Sequence, residues 1–67
     1  MTSFERWMAN NYPGVVVELT FRLQPDGTPK VLATVELYGQ EIDSGEWRLV
    51  SGALRMLQAK LEMEVTA

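Results

Sequence analysis

Two stretches of alternating apolar and polar residues constrain the fold of this chain most strongly. The first runs from Val15 to Leu23 and the second from Val31 to Tyr38, and a period of two residues is that of a β-strand with one buried face. Between them, a segment rich in proline, aspartate and glycine (residues 24–30) favours a reverse turn. The pattern predicts an antiparallel hairpin with these odd-numbered side chains buried: Val15, Val17, Leu19, Phe21, Leu23, Val31, Ala33, Val35 and Leu37.

A helix is predicted on each side of the hairpin. Thr2 followed by Glu5 is a capping box, and the helix that it opens is expected to end near Asn11. Its apolar side chains form one narrow stripe: Phe4, Trp7 and Met8. Trp7 is expected to anchor this helix to the core. From about Val50 the helical period returns, and a single apolar arc is expected to pack on the sheet: Val50, Ala53, Leu54, Leu57 and Leu61.

A turn is predicted at residues 38–40, and residues 41–47 after it are open to two interpretations. In the first they form a short third strand, with Gly45 as a bulge. In the second, Asp43 and Glu46 form a capping pair and the last helix begins at Ser44, leaving two strands and a long helix. We favour the first, a single α+β domain over residues 1–67 with the order α-β-β-β-α, in which two helices cover one face of a three-stranded antiparallel sheet. The alternative is α-β-β-α.

The composition argues against several kinds of site. The 67-residue chain has no cysteine and no histidine, which removes disulfides, thiolate metal ligands and the usual proton shuttle at neutral pH. Glu41, Asp43 and Glu46 are expected to form a solvated acidic rim, because so small a chain has little volume for a cleft. We therefore expect no enzymatic activity, no metal, no cofactor and no small-molecule substrate.

The charge balance bears on the choice of partner. Six lysines and arginines against nine aspartates and glutamates give a net charge of −3, which disfavours binding to nucleic acid or to an anionic membrane. No stretch approaches the ~20 apolar residues of a membrane span, and the first residues lack the pattern of a secretory leader. We expect a cytoplasmic protein. By general analogy alone, it is of the kind found as accessory proteins of phages and mobile elements.

Residues 36–61, ELYGQEIDSGEWRLVSGALRMLQAKL, resemble the C-terminal half of a double-stranded-RNA-binding domain. Gly39, Gly45 and Ala53 match that family's strand turn, spaced glycine and helix alanine. The hairpin segment Gly27, Thr28, Pro29 and Lys30 is similar to the family's loop that enters the RNA minor groove. The resemblance implies the order α-β-β-β-α with both helices on one face of the sheet.

The same resemblance argues against the family's usual function. Three phosphate-binding lysines of the family would fall at Val50, Ser51 and Leu54, none of which is basic. Weak binding of double-stranded RNA therefore stays only as the alternative function, through three candidate contact residues: Lys30, Arg48 and Arg55.

The leading functional hypothesis is a non-catalytic interaction module that binds protein. A second, smaller apolar stripe lies well round the last helix from its core arc: Leu49, Met56 and Met63. Because other residues already supply the core, these three are surplus to folding, and exposed methionines are typical of adaptable contact surfaces. We expect them to bind a protein partner. A second copy of the chain is one candidate, since small domains often gain stability by oligomerisation.

Overall fold

The computed structural model describes residues 2–66, and the side chains of residues 2–64. Its elements, in chain order, are α1 (Ser3–Asn11), β1 (Glu18–Leu23), β2 (Pro29–Leu37), β3 (Gln40–Trp47) and α2 (Val50–Thr66). The strands form one antiparallel three-stranded sheet in the order β1-β2-β3. The predicted α+β fold with the order α-β-β-β-α is therefore confirmed.

The capping box of α1 forms as predicted. The Thr2 hydroxyl oxygen accepts a hydrogen bond from the Glu5 amide at 3.1 Å, and the Thr2 amide donates to the Glu5 carboxylate at 3.3 Å. Hydrogen bonds from Thr2 hold the pKa of Glu5 below its usual value. Beyond the helix, the Tyr12 hydroxyl donates to the carbonyl of Leu61 at 3.3 Å. This bond ties the exit of α1 to the later turns of α2.

Short-range hydrogen bonds fix the β1–β2 hairpin. The Gln24 amide donates to the carbonyl of Thr28 at 2.9 Å, and the Thr28 amide donates to the Asp26 carboxylate at 2.9 Å. The bond from Thr28 lowers the pKa of Asp26. Strand β1 begins at Glu18, three residues later than the alternation predicted, since residues 15–17 lie outside the ladder.

The third strand and its bulge are also confirmed. The β2–β3 register shifts opposite Ala33, where two residues, Ser44 and Gly45, face one. The Ala33 amide donates to the Ser44 hydroxyl at 3.0 Å, and Gly45 has φ +74°, a conformation that costs glycine little. The Asp43 carboxylate accepts from the Gly45 amide at 2.8 Å. The alternative helix start at Ser44 is therefore wrong, because Asp43 caps the bulge and α2 begins only at Val50.

The core lies between the helices and one face of β2 and β3. Its buried apolar side chains come from α1, β2 and α2: Met8, Val31, Ala33, Val35, Leu37, Ala53, Leu57 and Leu61. The inward residues of β2 and the centre of the α2 arc are thus as predicted. Trp7, Val50 and Leu54 are half-buried at the margin of this core. Trp7 also contacts Tyr12, with ring centroids 5.9 Å apart.

The prediction of a buried β1 is wrong. Leu19, Phe21 and Leu23 are 39, 66 and 74 % exposed, respectively. Leu19 pairs with Ala33 and Phe21 with Val31, and directly paired residues of antiparallel strands project to the same face. The β1 side chains therefore lie on the helix side of the sheet, as predicted, but neither described helix covers them.

Helix placement explains the exposure. Helix α2 packs on β2 and β3, and α1 packs on α2 rather than on β1. Only the two valines that precede β1, Val15 and Val17, lie close enough to the core to be half-buried. The alternation predicts which β1 side chains share a face, whereas the burial of that face depends on where the helices pack.

Candidate functional site

The exposed side chains of β1 form the most unusual surface of the described molecule. We call Leu19, Phe21 and Leu23 the β1 patch. β1 is an edge strand, since it pairs only with β2 in the described sheet. Three large apolar side chains therefore lie side by side on a strand whose other edge is open, an arrangement that folded proteins usually cover or block with charge.

A tryptophan lies in the same cross-strand row as the patch, beyond a buried valine of β2. Phe21 pairs with Val31, and Val31 pairs with Trp47 on β3, so the three lie in one row on the helix side. The Trp47 ring nitrogen donates to the carbonyl of Ser44 at 2.7 Å. Its ring lies so close to Gly52 that a Cβ there would be 2.9 Å from the ring carbon Cε3. Trp47 remains 37 % exposed, but the buried Val31 separates it from the β1 patch.

Hydrogen bonds within the hairpin show which backbone groups of β1 point towards β2 and which point away from the sheet. The Gln24 amide donates to Thr28, and the Glu18 carbonyl accepts from the Thr34 hydroxyl at 3.5 Å. Even-numbered residues of β1 therefore direct their backbone groups towards β2. Because this direction alternates along an antiparallel strand, the amides and carbonyls of Leu19 and Phe21 point away from the sheet along its open edge.

The outer face of the sheet is mainly polar, and its charges are separated along the strands. At one end, Arg22 donates to Glu46 at 2.7 Å, in an ion pair with both side chains exposed to solvent, and Lys30 lies opposite Arg22 on the neighbouring strand. At the other end, Glu36 lies directly opposite Glu41. Glu18 belongs to this acidic end, because it borders the same shallow depression as those two glutamates.

The structure does not gather the three candidate RNA contacts into one depression. Arg48 and Arg55 line a depression at the start of α2. Lys30 lines a different one on the outer face of the sheet, together with Arg22 and Glu46. The carboxylate of Glu46 thus accompanies the cations there and weakens their attraction for phosphate.

The predicted protein-contact stripe is elongated. Leu49 and Met63 are 68 and 71 % exposed, whereas Met56 between them is half-buried. At 1.5 Å per residue, the ends of the stripe lie about 21 Å apart along the helix axis. Leu49 borders the depression that Arg48 and Arg55 line, so the stripe begins in a mixed apolar and basic surface.

The carboxylates of β3 each have a different neighbour. Glu41 faces Glu36, Asp43 caps the bulge, and Glu46 binds Arg22. Within residues 2–66, no group of three or more acidic side chains is arranged to hold a metal ion. In the same part of the chain, no helix has the length and apolar character needed to cross a membrane.

The alternation placed the β1 patch in the core, although the size of the two predicted helices argued against it. Strands lie about 4.8 Å apart and a helix with its side chains is about 10 Å wide, so one helix covers roughly two strands. The other helix has only nine residues, and Met8 is its single buried side chain. Such a helix is too small to cover a third strand while it also packs against α2.

The resemblance to the double-stranded-RNA-binding domain agrees with the element order, and membership of that family stays a prediction. In the described structure, Val50 and Leu54 are half-buried and Ser51 is exposed, so these positions are occupied by residues that cannot bind phosphate as lysines would. Neither the protein-family models, nor the curated proteins, nor the solved structures compared with this chain match it.

Proposed function

We propose that the protein is a non-catalytic interaction module that binds protein rather than nucleic acid, and that the β1 patch is its principal contact surface. The observation that carries this proposal is the exposure of Leu19, Phe21 and Leu23 on an edge strand. Burying apolar surface of this kind contributes about 25 cal/mol per Å². Covering the patch with another protein therefore stabilises a complex.

Charge supports the choice of protein over nucleic acid. Affinity for a duplex depends on several cations that neutralise phosphates together. Here the net charge is −3, and the candidate cations occupy two depressions, one of which includes Glu46. Neither depression concentrates enough positive charge to hold a polyanion tightly.

The stripe of Leu49, Met56 and Met63 is a second candidate contact for protein. Leu49 and Met63 are well exposed, which supports a role at a surface. Met56 is already half-buried within the folded chain and adds less new apolar area. We therefore rank the stripe below the β1 patch.

Replacing Phe21 with glutamate tests the proposal. A charge at the centre of a desolvated contact is unfavourable, so Phe21→Glu should abolish protein association. The fold should survive, because Phe21 is 66 % exposed. Tyr38→Glu is the matched control, since it changes an aromatic side chain that is 97 % exposed at a distant turn and should leave association intact.

Sedimentation velocity, run with and without nuclease, measures self-association of the wild type and both variants, and a pull-down with each purified protein as bait measures binding of other proteins. Circular dichroism confirms that each variant is folded. Association that survives Phe21→Glu, or that disappears on nuclease treatment, would refute a protein contact at the β1 patch.

Binding to RNA is tested separately by titrating a labelled RNA duplex at physiological salt. We expect affinity no tighter than non-specific association, with dissociation constants of ~10⁻⁴ to 10⁻⁶ M. Arg48→Ala and Arg55→Ala, which remove the cations of one depression, should change this little. Sub-micromolar binding that Arg55→Ala weakens would overturn the proposal in favour of the alternative, a function in binding double-stranded RNA.

A further inference from the structure

We infer that the partner at the β1 patch is a second copy of this chain, joined by antiparallel pairing of the two β1 strands about a two-fold axis at Thr20. This inference rests on the proposed function and adds the identity of the partner and the register of contact. In such a dimer the two three-stranded sheets become one continuous sheet.

The open backbone groups of β1 suit this pairing. Leu19 and Phe21 direct their amides and carbonyls away from β2, as the bonds of Gln24 and Glu18 to the neighbouring strand show. With Thr20 on the axis, Leu19 lies opposite the partner's Phe21. Residues in such a hydrogen-bonded pair exchange two backbone bonds, so the groups that the monomer leaves to solvent find partners in the dimer.

Charge complementarity selects this register. With Thr20 on the axis, Glu18 lies opposite the partner's Arg22, and Arg22 lies opposite the partner's Glu18. Both are non-hydrogen-bonded pairs, in which side chains approach most closely. Cross-strand pairs of opposite charge stabilise a sheet by roughly 0.2–1 kcal/mol each.

Other registers lose these ion pairs. A shift of one residue would place apolar side chains opposite polar ones, because faces alternate along a strand. With Phe21 on the axis instead, Glu18 would face the partner's Gln24 and Arg22 would face the partner's Thr20. With Leu19 on the axis, Glu18 would face the partner's Thr20. Thr20 is thus the central position at which Glu18 and Arg22 both lie opposite a residue of opposite charge.

The monomer leaves Glu18 available for this contact. Among the described residues, the Glu18 carboxylate has no ion-pair partner, and it lies at the acidic end of the outer face. Arg22 already binds Glu46, but a guanidinium carries five N–H donors and the side chain is 67 % exposed. Arg22 can therefore bind a second carboxylate while it keeps the first.

On the helix side, the same pairing joins the two β1 patches. An axis perpendicular to the sheet keeps both helix sides on one face, so Leu19 packs beside the partner's Phe21. Aromatic and aliphatic side chains in such cross-strand pairs contribute to sheet stability. The two patches then form one apolar strip in which each copy shields the other's flank from water.

Charge exchange tests both partner and register. Glu18→Arg places two arginines opposite each other, and Arg22→Glu does the same with two glutamates. Each single variant should weaken the dimer at least tenfold, which corresponds to about 1.4 kcal/mol. An equimolar mixture of the two variants should recover the dimer, because each new charge then faces its opposite, and the double variant Glu18→Arg/Arg22→Glu should recover it as well.

Two control variants test whether the loss of the dimer arises from charges at the proposed interface rather than from charge changes elsewhere on the sheet. Glu36→Arg makes the same charge change as Glu18→Arg on the outer face of the sheet, but away from the edge. Glu46→Ala removes the intramolecular partner of Arg22 without altering β1. Both should remain dimeric in sedimentation equilibrium, and circular dichroism checks that every variant is folded.

The outcomes distinguish this inference from the proposed function. A wild type that stays monomeric, or a mixture that fails to recover the dimer, overturns the Thr20-centred pairing. A monomer that binds an extended peptide through the edge also overturns it, but leaves the β1 patch as a protein contact. If, in addition, Phe21→Glu alters no protein association, the proposed function fails too.

Discussion

At the scale of single residues, Tyr38 occupies a conformation that its side chain does not favour. It begins the β2–β3 turn with φ +52°, in the left-handed region, and is 97 % exposed. Bulky residues rarely adopt this region, whereas asparagine does so readily, and Asn-Gly is a preferred pair for two-residue hairpin turns. The sequence predicted a turn at residues 38–40, but it did not predict that a tyrosine would take the strained position.

Tyr38→Asn should therefore stabilise the protein. The substitution creates an Asn-Gly turn with Gly39 and removes little packing, so we expect the free energy of unfolding to rise by up to about 1 kcal/mol. Denaturant unfolding followed by circular dichroism measures the change. A loss of stability would mean that the Tyr38 ring makes a contact that its exposure does not suggest.

At the scale of elements, replacing a large side chain with alanine should affect stability very differently in β1 and in α2. Leu57 of α2 is fully buried, and Leu57→Ala should cost about 2–5 kcal/mol. Phe21 of β1 is 66 % exposed, and Phe21→Ala should cost the monomer less than about 1 kcal/mol, mainly through weaker strand propensity. Equilibrium unfolding in dilute solution compares the two, and a similar large loss in both would show that β1 belongs to the core.

The same two elements show which features of the fold could be predicted from the sequence and which could not. The burial of Leu57 and Leu61 could be predicted because a helix buries one arc, and α2 has one well-defined apolar arc. The exposure of Leu19 and Phe21 does not follow from the alternation, because the period of a strand is identical whether or not a helix covers it; only the short length of the first helix argued for it. Gly45 was predictable as a bulge, while the role of Asp43 in capping that bulge was not.

At the scale of the whole molecule, a small chain buries too little surface to cover every apolar face. Helix α2 covers β2 and β3, and the remaining strand is left with an apolar face and an open edge. The acidic end of the outer face lies beside one end of β1 and the Arg22–Glu46 pair beside the other. The antiparallel pairing that we propose would bring unlike charges of two such strands together, and this is the link between the fold and the proposed self-association.

The exchange of individual β1 amide protons, followed by NMR across a range of protein concentrations, tests this link most directly. The amides of Thr20 and Arg22 point towards β2 and should be protected at every concentration. Those of Leu19 and Phe21 should exchange freely in dilute solution and gain protection as the concentration rises, and Glu18→Arg should delay that gain to higher concentration. Fast exchange of Leu19 and Phe21 at all concentrations, or protection that persists on dilution, would contradict an open strand edge that pairs with a second copy.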